Sequence, residues 1–402
     1  MNEWGRLLHN MRFTFAKRTP NLIECALIIL ACMNFLGSGS IVFLVFGILA
    51  FFRVGRCKTN ADLFWCIVIT CAVFVSSMLF FSLNEAIKGF IYTLVYIFGN
   101  NAYEKAKDKN GFILRTVLAI FWGFLIFIIL TYWYNLGKEP EYEGQRILYS
   151  IWTQERMSVT LVGLLSSVLV GFSCWAYLFS RQKKYQLLAS FGLVFVVLLN
   201  VKSATRTPFV LALLVYSVML CVALFSSAIN RKWTLLFSVV AVLSLAGVLY
   251  ANNAWGVRDY LENSPLFARL ENEALETGRW DIMVENFKLA PQHLWGGGKI
   301  ERITGKGAHF YLQQCYDMYG VVAAIPMLFL SVNFLRNIWK LLRLRKKNKL
   351  DTLFLCMYLS MLVQCCLEPV FTGYPVLFWS LLLIHGMANS YLKDRKRVNE
   401  YA

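Results

Sequence analysis

Residues 111–134 read GFILRTVLAIFWGFLIFIILTYWY, an apolar run whose only charge is Arg115. Coiled as a helix at about 1.5 Å per residue, such a run is long enough to cross the roughly 30 Å hydrocarbon core of a bilayer. Surface helices of soluble proteins carry a polar face, and this segment has none. Similar blocks recur along the whole chain. We place twelve spans, near 21–37, 39–53, 62–82, 84–100, 111–134, 159–179, 185–201, 207–229, 233–251, 309–340, 351–367 and 375–391. The composition agrees: 58% of residues are hydrophobic and 16% charged, against about 45–50% and 25% in soluble domains. The expected fold is an all-α polytopic membrane protein of about 12 transmembrane helices, one domain over 1–402. One long outer loop, 252–308 between spans 9 and 10, is expected to contain short helices.

The formal net charge is +17. Positive charge on this scale would suit a nucleic-acid binder if it clustered on one surface, but here it falls between the apolar blocks. With the N-terminus inside, the segments expected on the cytoplasmic side hold 27 of the 40 Lys and Arg, as short basic loops do. Both termini then lie in the cytoplasm, and no nucleic-acid partner is expected. The first apolar run lacks a small-residue cleavage site and is followed at once by another span, so we expect an uncleaved anchor. The 11 cysteines lie mostly inside spans without metal-ligand spacing, as small buried hydrophobes do.

Chemistry is sought in the outer segments. Within the long loop, Trp280, Met283, Val284 and Phe287 recur at i, i+3, i+4, i+7, which predicts a surface helix with Arg279 at its start. Pro291 ends it, and Gly296-Gly297-Gly298 is expected to act as a flexible joint before His309 opens the tenth span. Lys202 and Arg206 occupy an outer turn against the positive-inside trend. They are either an interfacial pair reaching toward water or an anion site at the N-terminal amides of the eighth span, where Pro208 suits the first turn. Arg156, before the sixth span, is a further candidate for the same anion. His309, Gln313 and Asp317 follow at four-residue steps, one helical stripe. His9, His293 and His385 show no such constellation and are expected to be solvated or packed. Gly298-Lys299 and Gly305-Lys306-Gly307 lack phosphate-loop spacing. Glu139, Glu141 and Glu143 read as a solvated acidic run, so no metal site is expected.

Arg206 heading an outer-facing span, the loop helix with Arg279, the glycine-rich approach and Ala308-His309-Phe310-Tyr311-Leu312-Gln313 ahead of Tyr319-Gly320 resemble the O-antigen ligase and polymerase superfamily of bacterial membrane glycosyltransferases. The resemblance covers roughly 150–391; Phe310 stands where the family often has Asn. Glu368, after the eleventh span, sits where such proteins often carry an outer acidic residue. The resemblance implies a glycosyltransferase C-like helical fold in the bacterial inner membrane, with its active site facing the periplasm and no cofactor. It implies an undecaprenyl-pyrophosphate-linked glycan as donor and lipid A-core or another glycan as acceptor, with membrane lipid around the protein. On that reading His309 is catalytic, Arg206, Arg279, Lys202 and Arg156 bind the pyrophosphate, and Glu368, Gln313 and Asp317 support the acceptor or the site. The expected activity is metal-independent transfer of polysaccharide to lipid A-core by an O-antigen ligase. The alternatives are an O-antigen or capsular polymerase and, from another class, a lipid-linked oligosaccharide flippase.

Overall fold

The computed structural model describes residues 22–400, apart from 55–58, 139–147, 181, 226–247, 249, 254–255, 265, 268–278, 345–346 and 372. Among them the chain is almost wholly helical, with a single two-stranded hairpin, β1 (Leu148–Tyr149) and β2 (Arg156–Met157). The helices are α1 (Leu22–Cys32), α2 (Gly39–Val54), α3 (Ala61–Phe80), α4 (Leu83–Lys88), α5 (Phe90–Ile97), α6 (Lys109–Asn135), α7 (Thr160–Leu178), α8 (Lys183–Lys202) and α9 (Thr207–Phe225). They continue as α10 (Val257–Glu262), α11 (Arg279–Leu289), α12 (Lys299–Thr304), α13 (Tyr311–Tyr319), α14 (Val321–Arg343), α15 (Lys349–Leu367) and α16 (Pro375–Glu400).

Eight helices among the described residues are long and apolar enough to cross a membrane: α3, α6, α7, α8, α9, α14, α15 and α16. They mark a membrane-embedded protein. The count of twelve is not reproduced, for identifiable reasons. α1 and α2 are shorter apolar helices. The block at 84–100 is broken into α4, α5 and a π-helical turn at Phe98–Ala102. The block at 309–340 is cut at Gly320, whose φ of +79° L side chains rarely adopt. Most of the block at 233–251 lies outside the described residues.

The chain forms two compact units that alternate along the sequence: one of 1–124, 281–338 and 369–402, the other of 125–280 and 339–368. In the first unit, α16 supplies the core. Trp379 is 1% exposed and meets Phe43 and Tyr92 edge-on at 5.9 and 6.3 Å. About two turns further on, α16 lies backbone to backbone against the end of α5. A Cβ on Gly386 would stand 2.6 Å from the Tyr96 carbonyl oxygen and 2.8 Å from the Asn100 amide. Between lipid-embedded helices such small-residue seams allow the close packing that replaces a hydrophobic drive.

In the second unit, α7 is the central helix, with 94% of its apolar window buried. It is apolar all round, as a helix enclosed by others should be. At Gly171 an added Cβ would come within 3.0 Å of the Cys356 carbonyl of α15. The Trp175 indole donates to the Lys349 carbonyl at 2.7 Å. A capping box between Asn348 and Asp351 starts α15. Replacing Gly386 by Leu should force α16 off the backbone of α5 and cost about 3 kcal/mol or more. The expected outcome is a large fall in the thermal midpoint of the purified protein, with Gly386→Ala falling less.

Candidate functional site

The second unit holds all four predicted cations, Arg156, Lys202, Arg206 and Arg279. Lys202 ends α8, half-buried, and its Nζ donates to the Lys138 carbonyl at 3.0 Å. Lys138 in turn sits over the rings of Tyr134 and Tyr149, 3.5 and 4.4 Å from their centroids. β1 is fastened to the end of α6 by Asn135, whose amide pairs with both the N–H and the C=O of Tyr149 at 2.9 Å. Across the hairpin Arg156 is the register partner of Tyr149, and its side chain is exposed. Lys138 was not singled out from sequence, because nothing local relates it to Lys202.

Arg206 lies in the turn between α8 and α9 and is half-buried. The turn is tightly built. Ala204 takes φ +51°, and the Thr205 amide returns to the Asn200 carbonyl at 3.0 Å. The Arg206 carbonyl accepts the Phe209 amide at 3.1 Å, so Arg206 stands at the head of α9, with Thr207 and Pro208 in the first turn. Thr207 Oγ1 donates to Glu368 Oε1 at 2.6 Å, and Glu368, the residue that ends α15, is 1% exposed. Glu368 therefore fastens the turn that carries Arg206 rather than standing open to solvent.

The predicted loop helix is present as α11, whose residues from Asp281 on belong to the first unit, and it is ended by a short 3₁₀ turn at Ala290-Pro291-Gln292. Arg279 is its first residue; its side chain lies outside the described residues. Trp280 and Phe287 are exposed, at 71% and 58%, whereas the polar Asn286 is buried. The glycines after α11 do not form the flexible joint expected. Gly296, Gly297 and Gly298 all have φ between +66° and +82° and lie against the end of α13. The Gly297 and Gly298 amides donate to the Met318 and Asp317 carbonyls at 3.0 and 2.8 Å. A Cβ on Gly320 would stand 2.7 Å from the Leu294 carbonyl. Glycine is needed here for left-handed backbone and close approach.

His309 is half-buried and lies two residues before α13, outside the helix. The expected single stripe of His309, Gln313 and Asp317 is thus corrected: only Gln313 and Asp317 share a helix. Asp317 is buried and occupied, its two carboxylate oxygens accepting the Ile300 and Glu301 amides at 2.8 and 3.2 Å. It caps α12, with negative charge at the positive end of that helix. Gln313 Nε2 donates to the Met283 carbonyl of α11 at 2.9 Å. Gln314, which sequence reasoning passed over, holds the segment after Glu368, its Oε1 accepting the Val370 and Phe371 amides at 2.9 and 3.1 Å.

Between α11, α13 and α14 lies a cavity of about 380 Å³, walled by apolar side chains including Phe287, Phe310, Val321 and Leu328. Two buried amide atoms on its lining residues, Asn286 Nδ2 and Gln313 Oε1, have no hydrogen-bond partner among the described residues. An apolar pocket with a few polar groups is the usual form of a small-ligand site. Among the described residues no cluster of three or more His, Cys, Asp or Glu is arranged to hold a metal ion. The acidic run Glu139, Glu141 and Glu143 lies outside the described residues.

The units thus divide the predicted residues. Lys202, Arg206, Arg156, Arg279 and Glu368 belong to one, and His309, Gln313 and Asp317 to the other. Comparison with protein-family models and with curated proteins finds no match for this chain. Thr207→Val should leave the buried Glu368 short of a donor and destabilise the protein by roughly 1–3 kcal/mol, read as a lowered thermal midpoint. Asp317→Ala should cost about 1 kcal/mol through the lost cap on α12; Asp317→Asn, which still accepts an amide, should cost less.

Proposed function

We propose that the chain is a membrane glycosyltransferase that moves a glycan from an undecaprenyl-pyrophosphate carrier, and that it acts as an O-antigen ligase with lipid A-core as acceptor. The observation that carries this reading is Arg206: a half-buried cation at the head of an apolar helix, in a turn held by the Thr207–Glu368 hydrogen bond. A guanidinium beside helix N-terminal amides binds a pyrophosphate without needing a metal, and Arg does so bidentately. The lipid carrier suits a membrane protein with an apolar cavity beside its loop helix.

In this mechanism the bond between the sugar anomeric carbon and the pyrophosphate oxygen breaks while the acceptor hydroxyl oxygen bonds to that carbon. Charge collects on the leaving undecaprenyl pyrophosphate, and Arg206 with Arg279 stabilises it, helped by Lys202. The hydroxyl proton passes to His309, a side chain type suited to general base work near neutral pH. Phe310 and Gln313 line the cavity beside His309 in sequence. The same residues would serve a polymerase, whose acceptor is a second lipid-linked glycan.

Purified protein given undecaprenyl-pyrophosphate-linked glycan, with and without lipid A-core, tests the reading. Glycan should appear on lipid A-core only. Arg206→Ala, Arg279→Ala and His309→Ala should each lower the rate by about 10²-fold or more, the scale of one general base or one charge stabiliser. Lengthened lipid-linked glycan formed without lipid A-core would make the protein a polymerase. Movement of intact lipid-linked glycan across proteoliposomes with no transfer would make it a carrier.

A further inference from the structure

The first unit contains a buried ionisable pair that the proposed chemistry does not use. Asp62 opens α3, and His385 lies inside α16; the His385 side chain is 0% exposed and that of Asp62 12%. His385 Nε2 is 3.3 Å from Asp62 Oδ2. The carboxylate also accepts from the amides of Asn333 and Asn389, on α14 and α16. Asn337 closes the far side of the ring, 3.4 Å from His385 Nδ1, and donates to Asn389 Oδ1 at 2.7 Å. Asn389 also donates to the Tyr96 hydroxyl at 3.0 Å, and Tyr96 donates to Asn60 Oδ1 at 3.0 Å. Asn60 is the N-cap of α3. Four elements, α3, α5, α14 and α16, thus meet on one carboxylate and one imidazole.

Such a cluster is costly to bury unless something is gained from it, and ionisable residues inside membrane bundles mark ion and proton sites by default. We propose that Asp62 and His385 form a proton-binding site, in which His385 Nδ1 takes up a proton and Asp62 is the fixed counter-charge. His385 Nε2–H donates to Asp62 whether or not Nδ1 is protonated, so uptake does not break the pair. Asn337 Nδ2 donates to bare Nδ1, and proton uptake there requires the Asn337 amide to turn over and give up its bond to Asn389 Oδ1. With the proton bound, the pair is neutral overall. Without it, a carboxylate is left buried beside a neutral ring, held only by hydrogen bonds.

Among the described residues, the titratable groups that feel Asp62 besides His385 include Cys66 of α3 and Tyr96 of α5, a thiol and a phenol that are ordinarily uncharged at neutral pH. α14 contributes Asn333, Asn337 and the Phe334 ring, which stands edge-on to His385 at 4.5 Å, and α16 adds Asn389. The site lies at the first turn of α3, the end we read as cytoplasmic from the basic loops. At the far end of α3, Phe80 packs against Gly297, where a Cβ would meet its ring at 3.0 Å. α14 follows directly from α13 through Gly320. α3 and α14 thus run from the Asp62–His385 cluster to the segments that hold Gly297 and Gly320.

The full chain, labelled with ¹⁵N-histidine and held in lipid nanodiscs, tests the proposal. It has four histidines, and His385→Gln identifies the signal of His385. Over a scan from about pH 5 to 8, the expected result is a His385 signal that changes reversibly with pH, with Asp62→Asn making the proton harder to bind as the counter-charge is lost. A His385 signal that stays constant over that range in the wild type would overturn the proposal and leave a purely structural hydrogen bond. An unchanged midpoint in Asp62→Asn would overturn the role of Asp62. Should Asp62→Asn fail to fold, Asp62→Glu keeps the charge and should leave the His385 signal responsive to pH.

Discussion

A bilayer interior offers a peptide group no hydrogen-bond partner, so each helix must close its own backbone and can gain from its neighbours only by contact. Where that contact is closest in this protein, side chains are absent. Gly386 on α16 meets the Tyr96 carbonyl, and Gly171 on α7 meets the Cys356 carbonyl. Each seam fixes the central helix of one unit. The polar residues of α16 then take up fixed partners, with Ser390 donating to the Asn100 carbonyl at 2.8 Å just beyond the Gly386 contact.

The same constraint explains the broken helices. A π turn at Phe98–Ala102 and a left-handed glycine at 320 interrupt apolar blocks that would otherwise read as continuous. Irregular backbone at membrane depth is tolerated where protein covers it, and both breaks are covered. Asn100 and Asn101 of the π turn are buried. The Gly320 amide is held by the Tyr316 carbonyl at 2.8 Å, and the neighbouring Val321 amide by the Leu294 carbonyl at 2.9 Å. The second break turns the chain from α13, which carries Gln313 and Asp317, into the spanning helix α14.

Polar residues divide into fasteners and sites by whether their partners use them up. Asp317 and Gln314 spend their acceptors on backbone amides, and Glu368 binds Thr207. Their task is to hold α12, the segment after α15 and the head of α9. Gln313 keeps an unpaired oxygen on a cavity wall, while Asp62 and His385 form a buried carboxylate–imidazole pair among the amides of Asn333, Asn337 and Asn389.

Long apolar blocks could be read from residue order alone, because lipid imposes a minimum apolar length on anything that crosses it. The i, i+3, i+4, i+7 pattern likewise announced α11, and Pro291 its end. Places where a block breaks could not be read so, since Gly320 and the π turn look like ordinary apolar helix until a neighbouring carbonyl fills the space beside them. Asp317 looked like a companion of His309 four-residue steps away, yet its partners are amides of Ile300 and Glu301 on another helix. His385 looked like a packed residue because Asp62, its partner, stands at the other end of the chain. Local periodicity and hydropathy depend on neighbours in sequence and survive without a fold; the charge balance of a buried group depends on neighbours in space, which only helix packing supplies.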